Sequence, residues 1–283
     1  MDTQSSNTKK ENEKAMILVI GDLHSGSRTA VINPKSKLEG NISVPCSKRQ
    51  AQIYGKMNNG IDYEKQYADI HNIKNRLVLV TGDLLDGIHH DTTEIVSRDR
   101  DDMVTLAQDV LINCKRFDDK FLFVKGTSAH TGQNSELEKL VAKEFGAIKN
   151  NDGERVWEKV QFEINGTFFD VAHHTKTGQS KDGFYAPLIK NLNRVEEDNP
   201  GKKRYVVIRS HIHKYSSITL ENTKTHITTP SLQMATNYIY SFNPNTRGFS
   251  MGILGIVVNE DGSITQLPYL FDIEEDHFAK KVF

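Results

Sequence analysis

The sequence predicts an α/β fold, in which short buried strands alternate with helices that cover a layered sheet. Five apolar runs rich in Val, Ile, Leu and Phe each stop at a glycine or a polar residue, which is typical of buried strands. These runs span residues 16–20, 77–81, 121–125, 168–172 and 205–209. Helical patterns lie between several of the runs, and a strand-and-turn region closes the chain.

Four segments carry the helical patterns. Residues 102–117 place apolar side chains on one face, as an amphipathic helix does. Residues 135–145 open with Ser135 and Glu138 at capping-box spacing, and Gly146 follows as the expected C-cap. Residues 62–75 and 186–197 are the other two predicted helices.

Two regions depart from this alternation. Residues 216–271 are rich in Thr and in turn signals, with a hairpin turn predicted at 259–262. We therefore expect a second, mostly antiparallel sheet packed on the first. Residues 25–75 form a long insertion that is weakly patterned before residue 62, and such long loops are usually functional or disordered.

Composition limits the classes of protein. Of the 283 residues, 37% are hydrophobic and 26% are charged, which is typical of a globular protein. Residues 1–14 are predicted to be a disordered lead-in, followed by a single domain over 15–283. No apolar run approaches the ~20 residues that a membrane span needs, so no membrane association is predicted. The two cysteines form no C-x-x-C pair, which favours a reducing, cytoplasmic location.

Residues of the types that bind metals follow four of the predicted strands. They are Asp22, His24, Asp83, His173, His174, His211 and His213. Ligands of open α/β sheets bind outside the carboxyl ends of the strands, so these residues are expected to converge there. A mixed imidazole and carboxylate set suits Mn, Fe, Zn or Ni better than the all-oxygen shells of Ca or Mg.

The order of these motifs resembles the calcineurin-like metallophosphoesterase family. The matching elements are D-x-H (Asp22, His24), G-D-x-x-D (residues 82–86), a Gly-then-His block, His173, and [GS]-H-x-H (residues 210–213). The resemblance implies a four-layer α/β/β/α sandwich of two packed mixed sheets flanked by helices, with two divalent metal ions, Mn first among them. It further implies that a hydroxide between the metals attacks phosphorus in line.

The same resemblance implies the role of each ligand. The first metal would be bound by Asp22, His24 and His213, the second by His173 and His211, and Asp83 would bridge the two. His174 is an alternative to His173. Asp86 is expected to orient a ligand or its loop from outside the metal shell.

One block differs from the family pattern. The family reads G-N-H-[DE], whereas this chain has Gly126-Thr127-Ser128-Ala129-His130. The resemblance implies that His130 assists departure of the leaving group. Thr127, Ser128 or a water would replace the missing asparagine at the second metal. A similar G-T-x-x-H-x-G block occurs in phosphoesterases encoded by bacteriophages.

The resemblance implies a phosphate-ester substrate. A phosphodiesterase or nuclease acting on a nucleotide or nucleic acid is favoured, and a phosphomonoesterase or a non-catalytic metal-binding scaffold are the alternatives. The net charge of −1 argues against a protein whose main task is coating nucleic acid. Lysines, arginines and tyrosines in residues 25–75, Arg28 among them, are candidate substrate contacts, and so is His90. Nothing in the sequence indicates an oligomeric state.

Overall fold

Two β-sheets form the centre of the computed structural model, which describes residues 13–87, 93–116, 120–178, 180–236 and 249–273. The strands are β1 Ala15–Ile20, β2 Lys37–Leu38, β3 Ile42–Ser43, β4 Asn75–Val80, β5 Phe121–Val124, β6 Val156–Trp157, β7 Val160–Ile164, β8 Thr167–Ala172, β9 Arg204–Arg209, β10 Ser216–Leu220, β11 Lys224–Thr228, β12 Met251–Val258 and β13 Ile264–Phe271. The helices are α1 Lys48–Ile70, α2 Arg100–Leu111, α3 Ser128–Thr131, α4 Glu136–Glu144 and α5 Lys181–Asp198.

The strand order brings the carboxyl ends of the ligand-bearing strands together. The first sheet has the order β13-β12-β1-β4-β5-β6, with β1, β4, β5 and β6 parallel. The second has the order β10-β11-β9-β8-β7, with β8, β9 and β11 parallel. Each parallel group therefore ends at one edge of its sheet, and loops that leave that edge are neighbours.

The molecule has four layers. Apolar side chains from both sheets, such as Ile17, Leu79, Phe169 and Val206, form a core between the sheets. A second core lies between the first sheet and helices α1, α2 and α4, and a third lies between the second sheet and α5. The expected α/β/β/α sandwich is therefore confirmed, with the two large sheets packed on each other and helices on their outer faces.

Helix α1 is much longer than the sequence pattern indicated. It begins at Lys48 rather than near residue 62, and a capping box between Ser47 and Gln50 marks its start. Polar and glycine residues between the buried positions Ile53, Met57 and Ile61 weaken the apolar signal, which explains the error. The segment 25–75 thus contains a short β2–β3 hairpin and a 23-residue helix, joined by irregular stretches.

The predicted capping box at the start of α4 is absent. Ser135 has a left-handed backbone (φ 53°) and makes no side-chain cap. Glu138 instead accepts hydrogen bonds from the backbone N–H groups of Gly126, at 3.0 Å, and Leu84, at 3.5 Å. The spacing correctly singled out Glu138 as a hydrogen-bond acceptor. It could not identify the donors, because they lie in loops that are distant in the sequence.

The C-terminal strands do not form a sheet of their own, so that part of the prediction is wrong. Strands β10 and β11 extend the second sheet, whereas β12 and β13 extend the first by pairing antiparallel to β1. Strand β12 is buried along nearly its whole length because both of its faces are covered. The hairpin at 259–262 is confirmed. In the described part of the chain, no helix has both the length and the apolar character that crossing a membrane requires. The lead-in 1–14 falls almost wholly outside the described residues, and the single domain over 15–283 stays a prediction.

Candidate metal centre

The loops after β1 and β4 run side by side past the ends of their strands. The Asp22 N–H donates to Gly82 O at 3.0 Å, and the His24 N–H donates to Asp83 O at 2.9 Å. Across the sandwich, His173 Nδ1 lies 2.8 Å from Thr81 O, and Ser210 Oγ donates to Thr81 Oγ1 at 2.7 Å. These bonds join the edges of the two sheets, so ligands from all four strands face one space.

Five of the six predicted ligands have a left-handed backbone. They are Asp22 (φ 47°), His24 (φ 46°), Asp83 (φ 50°), His211 (φ 75°) and His213 (φ 52°). For residues other than glycine this conformation costs on the order of 1–3 kcal/mol each, and it clusters at functional sites. Each left-handed residue changes the direction of the chain just after a strand. Neighbouring predicted ligands therefore point toward the same edge of the sheets. Such a concentration of strain is typical of a binding centre.

The first ligand group consists of Asp22, His24 and His213, and all three side chains are buried. Nε2 of His213 lies 3.2 Å from Nε2 of His24 and 3.6 Å from Oδ1 of Asp22. Among the described residues, Asp22 Oδ1 and His24 Nδ1 have no hydrogen-bond partner. Buried polar atoms without partners are costly, and a bound cation would relieve the cost at the carboxylate.

The second ligand group consists of His173 and His211. His173 is buried, and its Nδ1 faces the Thr81 carbonyl, which directs Nε2 to within 3.0 Å of Asp83 Oδ2. His211 is 40% exposed, with Nδ1 4.0 Å from the same oxygen. A ring nitrogen of His174 lies within 4.8 Å of those of His173 and His211. His173, not His174, therefore faces the carboxylate.

Asp83 lies between the two groups. Its Oδ2 is 4.0 Å from His24 Nε2 on one side and 3.0 Å from His173 Nε2 on the other. Burial raises the pKa of Asp83, but the imidazoles of His173 and His211 outweigh it and hold this pKa well below its usual range. Burial likewise raises the pKa of Asp22, and the nearby His213 lowers it by more. Two ionised carboxylates flanked by imidazole nitrogens fit a pair of divalent ions.

The backbone around Asp83 requires glycine at two positions. A Cβ on Gly82, which has φ +94°, would lie 2.7 Å from His173 Nδ1, and one on Gly126 would collide with Asp83 itself. The Thr127 N–H donates to Asp83 Oδ1 at 2.5 Å, and Thr127 Oγ1 donates to Oδ2 at 3.2 Å. The G-D and G-T motifs therefore allow three loops to approach closely and orient the central carboxylate.

His130 adjoins the first ligand group, not the second. Its Nδ1 is hydrogen-bonded to Asp86 Oδ1 at 2.8 Å, and its ring meets the His24 ring edge-on at 4.6 Å between centroids. Burial lowers the pKa of His130, but Asp86 and Asp83 outweigh it and raise the pKa above its ordinary value. The hydrogen bond to Asp86 thus fixes the orientation of the His130 ring. The expected role of Asp86 outside the metal shell stays a prediction.

The two predicted substrate contacts have different outcomes. Arg28 is exposed, belongs to neither ligand group, and donates from Nε to Ile95 O at 3.1 Å. It lines a cavity of about 290 Å³ together with Pro45, Cys46, Ser47, Gln50 and Val96. His90 lies outside the described residues.

Glu138 is the supporting residue that sequence reasoning assigned to another task. Its carboxylate joins the Asp83 loop to the Thr127 loop through Leu84 and Gly126. Burial raises its pKa to about 7. The sequence did contain a signal for this role. Glu138 is an acidic residue on the apolar face of an amphipathic helix, next to Leu137 and Val141.

Comparisons with known proteins give distant similarities. No protein-family model and no curated protein matches the chain. Among solved structures, it is similar to a single mutant of Vps29 from Entamoeba histolytica, at 13% identity and TM-score 0.43, over 91% of this chain and 99% of that one. It is also similar to a dimetal phosphatase from Danio rerio, at 11% identity and TM-score 0.44, over 90% and 98%. The Escherichia coli phosphoesterase YfcE aligns at 11% identity and TM-score 0.40, over 89% and 98%. These low values assign no activity and no residue role to this chain.

Proposed function

We propose that this chain is a metal-dependent phosphoric ester hydrolase of the calcineurin-like type, with a two-metal site. The observation that carries the proposal is the position of Asp83, one carboxylate within 4.0 Å of ligand nitrogens from both groups. Asp22, His24 and His213 would hold one ion, His173 and His211 the other, with Asp83 shared. When bound, two such ions supply a nucleophile at neutral pH and neutralise charge on phosphate oxygens.

The protein side chains contribute orientation and a proton. Asp86 holds the His130 ring through Nδ1 and favours its protonated form. His130 also touches His24 of the first group, so it lies beside the place where a phosphate would bind. We assign His130 to protonation of the leaving oxygen, a step that matters most when the leaving group is a poor one.

Within this class we favour phosphodiesters of a nucleotide or nucleic acid. The support is Arg28 at the wall of the 290 Å³ cavity, because its guanidinium is suited to a phosphate other than the scissile one. Lys35, Lys37, Lys48 and Arg49 add positive charge to the same segment. Tyr54 and Tyr67 pack on the core and so offer no stacking platform, whereas Tyr63 lies beside Tyr269 and is exposed.

A hydrolysis panel tests the proposal. Protein stripped of metal and reloaded with Mn, Fe, Zn or Ni is assayed on bis(4-nitrophenyl) phosphate, 4-nitrophenyl phosphate, cyclic nucleotides and single-stranded DNA. We expect Mn-dependent turnover with diesters ahead of monoesters, and a smaller KM for DNA than in Arg28→Ala. Full activity in protein that metal analysis shows to be metal-free would overturn the proposal. Two bound ions without hydrolysis of any ester would indicate the scaffold alternative.

A further inference from the structure

We propose that His174 is a ligand of the second metal, completing a group of three imidazoles and the Asp83 carboxylate. The inference rests on the proposed two-metal site. The two ligand groups are unequal in size. With Asp83 shared, the first ion would have four protein ligands, whereas His173 and His211 leave the second with three.

Position makes His174 a candidate. Its ring lies 4.9 Å from the His173 ring and 4.8 Å from the His211 ring, each measured between centroids and each close to edge-on. One ring nitrogen from each of the three histidines falls within a common distance of 4.8 Å. This separation exceeds what a single ion with bonds of ~2.0–2.1 Å to nitrogen requires, so some side-chain rotation is needed.

Exposure permits that rotation. His173 is buried and fixed by Thr81, whereas His174 and His211 are exposed. His174 also lines a cavity of about 230 Å³ beside Gly126 and Ser128. Its ring therefore has room to turn toward His173 and His211.

Two other side chains nearby, those of Thr127 and His130, already have hydrogen-bond partners. Thr127 Oγ1 lies 3.4 Å from both His173 Nε2 and His211 Nδ1, but this hydroxyl donates to Asp83 and is a weaker ligand than imidazole. His130 is bonded to Asp86 and adjoins the first group. Of the described histidines, His174 is the one that adjoins the second group without another bonded partner there.

The ligand chemistry has a consequence for the metal. Three imidazoles with one carboxylate favour Zn, Ni or Fe at the second position, whereas the first group, with two carboxylates, suits Mn better. We therefore expect the two positions to differ in metal preference. His174 would set that difference.

Direct titration with Zn²⁺ alone tests the inference without an activity assay. Metal-free wild type, His174→Ala and His71→Ala are titrated by calorimetry, and bound metal per chain is counted by mass spectrometry. His71 is an exposed histidine at the end of α1 and serves as the matched control. We expect two ions in wild type and in His71→Ala. In His174→Ala one of the two Zn²⁺ affinities, that of the second position, should fall by at least 10- to 100-fold, the loss typical of even an indirect metal partner.

The outcomes separate the two proposals. Retention of both ions at wild-type affinity in His174→Ala overturns the His174 assignment alone. Absence of any bound ion in wild type overturns the two-metal site and the His174 assignment together. The first-group affinity of His174→Ala, which should be unchanged, reports that the variant is folded.

Discussion

The two sheets contribute different chemistry to the same site. The first sheet supplies both carboxylates predicted as ligands, Asp22 and Asp83, together with His24, and all three are buried. The second sheet supplies only imidazoles, and among them His174 and His211 are exposed. Charge is thus concentrated in the layer that excludes water, where its attraction for a cation is strongest. The exposed imidazole side is the part of the site that can rearrange.

Away from the site, each sheet also buries one ionisable side chain, an acid at the first sheet and a histidine in the second. Under α1, the first sheet buries Glu64 against Gly255, and burial raises the pKa of Glu64 to about 8. In the second sheet, His226 shares a row with Val207, which packs on α5, and is fully buried. Burial, with Arg209 nearby, lowers the pKa of His226 to about 3. Neither side chain has a hydrogen-bond partner for its polar atoms among the described residues.

The largest effect is expected at Asp83, where the two sheets meet. Asp83→Asn keeps the size of the side chain and removes the charge shared by both ligand groups. At least one ion should be lost, and turnover should fall by more than the 10²–10⁴-fold expected when a general acid is removed. Bound metal and turnover are measured with His71→Ala as control. Near-normal metal content and rate in Asp83→Asn would show that the carboxylate is not shared.

His130→Ala should have the next largest effect and leave the metals in place. Turnover of an alkyl or nucleoside ester should fall by about 10²–10⁴-fold, because the leaving oxygen then departs without a proton. An activated aryl ester should be slowed less. Equal slowing of both esters would instead assign His130 to binding the phosphate. Loss of an ion would instead identify His130 as a metal ligand.

Glu64→Gln tests the acid that helix α1 buries against the first sheet. The folded-state pKa of about 8 lies above the ordinary 4.5, so the folded protein retains a proton that the unfolded chain loses. Stability from this group is fully present below pH 4.5 and is lost as pH rises toward 8, by about 1.4 kcal/mol per pH unit. Glu64→Gln should therefore be more stable than wild type at pH 8 and similar at pH 4. Urea unfolding measures this, with exposed Glu144→Gln as control.

His226→Leu should give a pH dependence of the opposite sign in the second sheet. The folded-state pKa of about 3 lies below the ordinary 6.5, so the unfolded chain binds the extra proton. Stability from this group is present above pH 6.5 and is lost as pH falls toward 3, by about 1.4 kcal/mol per pH unit. The protein is expected to unfold in acid before pH 3, so the effect can be measured only over the upper part of this pH range. We therefore expect it to be the smallest of the four. The free energy of unfolding is measured against pH for wild type, His226→Leu and the control His71→Leu. If it falls as steeply in His226→Leu as in the other two, His226 is not the source of the acid sensitivity.

Much of the architecture was predictable from local signals. Strand ends were visible because an apolar run followed by Gly-Asp or Ser-His needs no distant partner to be recognised. The ligand types at Asp22, Asp83, His173 and His211 were visible for the same reason. Their convergence followed from one rule, that parallel strands end at the same edge of a sheet.

Other features depended on contacts between distant segments. The start of α1 at Lys48 was hidden because its buried face includes Gln50, Gly60 and Glu64, which carry no apolar signal. The division of the C-terminal strands between both sheets depended on which edge strand each one meets. The spacing of residues within a strand carries no information about which sheet the strand joins.

Within the site, residue types came from the sequence and their roles from packing. Asp-x-His and His-x-His spacing identified candidates, but burial decided that His173 faces Asp83 while His174 stays exposed. Spacing predicted Glu138 as a helix cap, but its carboxylate accepts from Leu84 and Gly126 and links two loops of the site. The Ser135 N–H, its predicted partner, donates to Gly132 O instead. Short-range sequence specifies conformation along the chain, whereas desolvation and hydrogen-bond partners depend on neighbours that only the folded chain assembles.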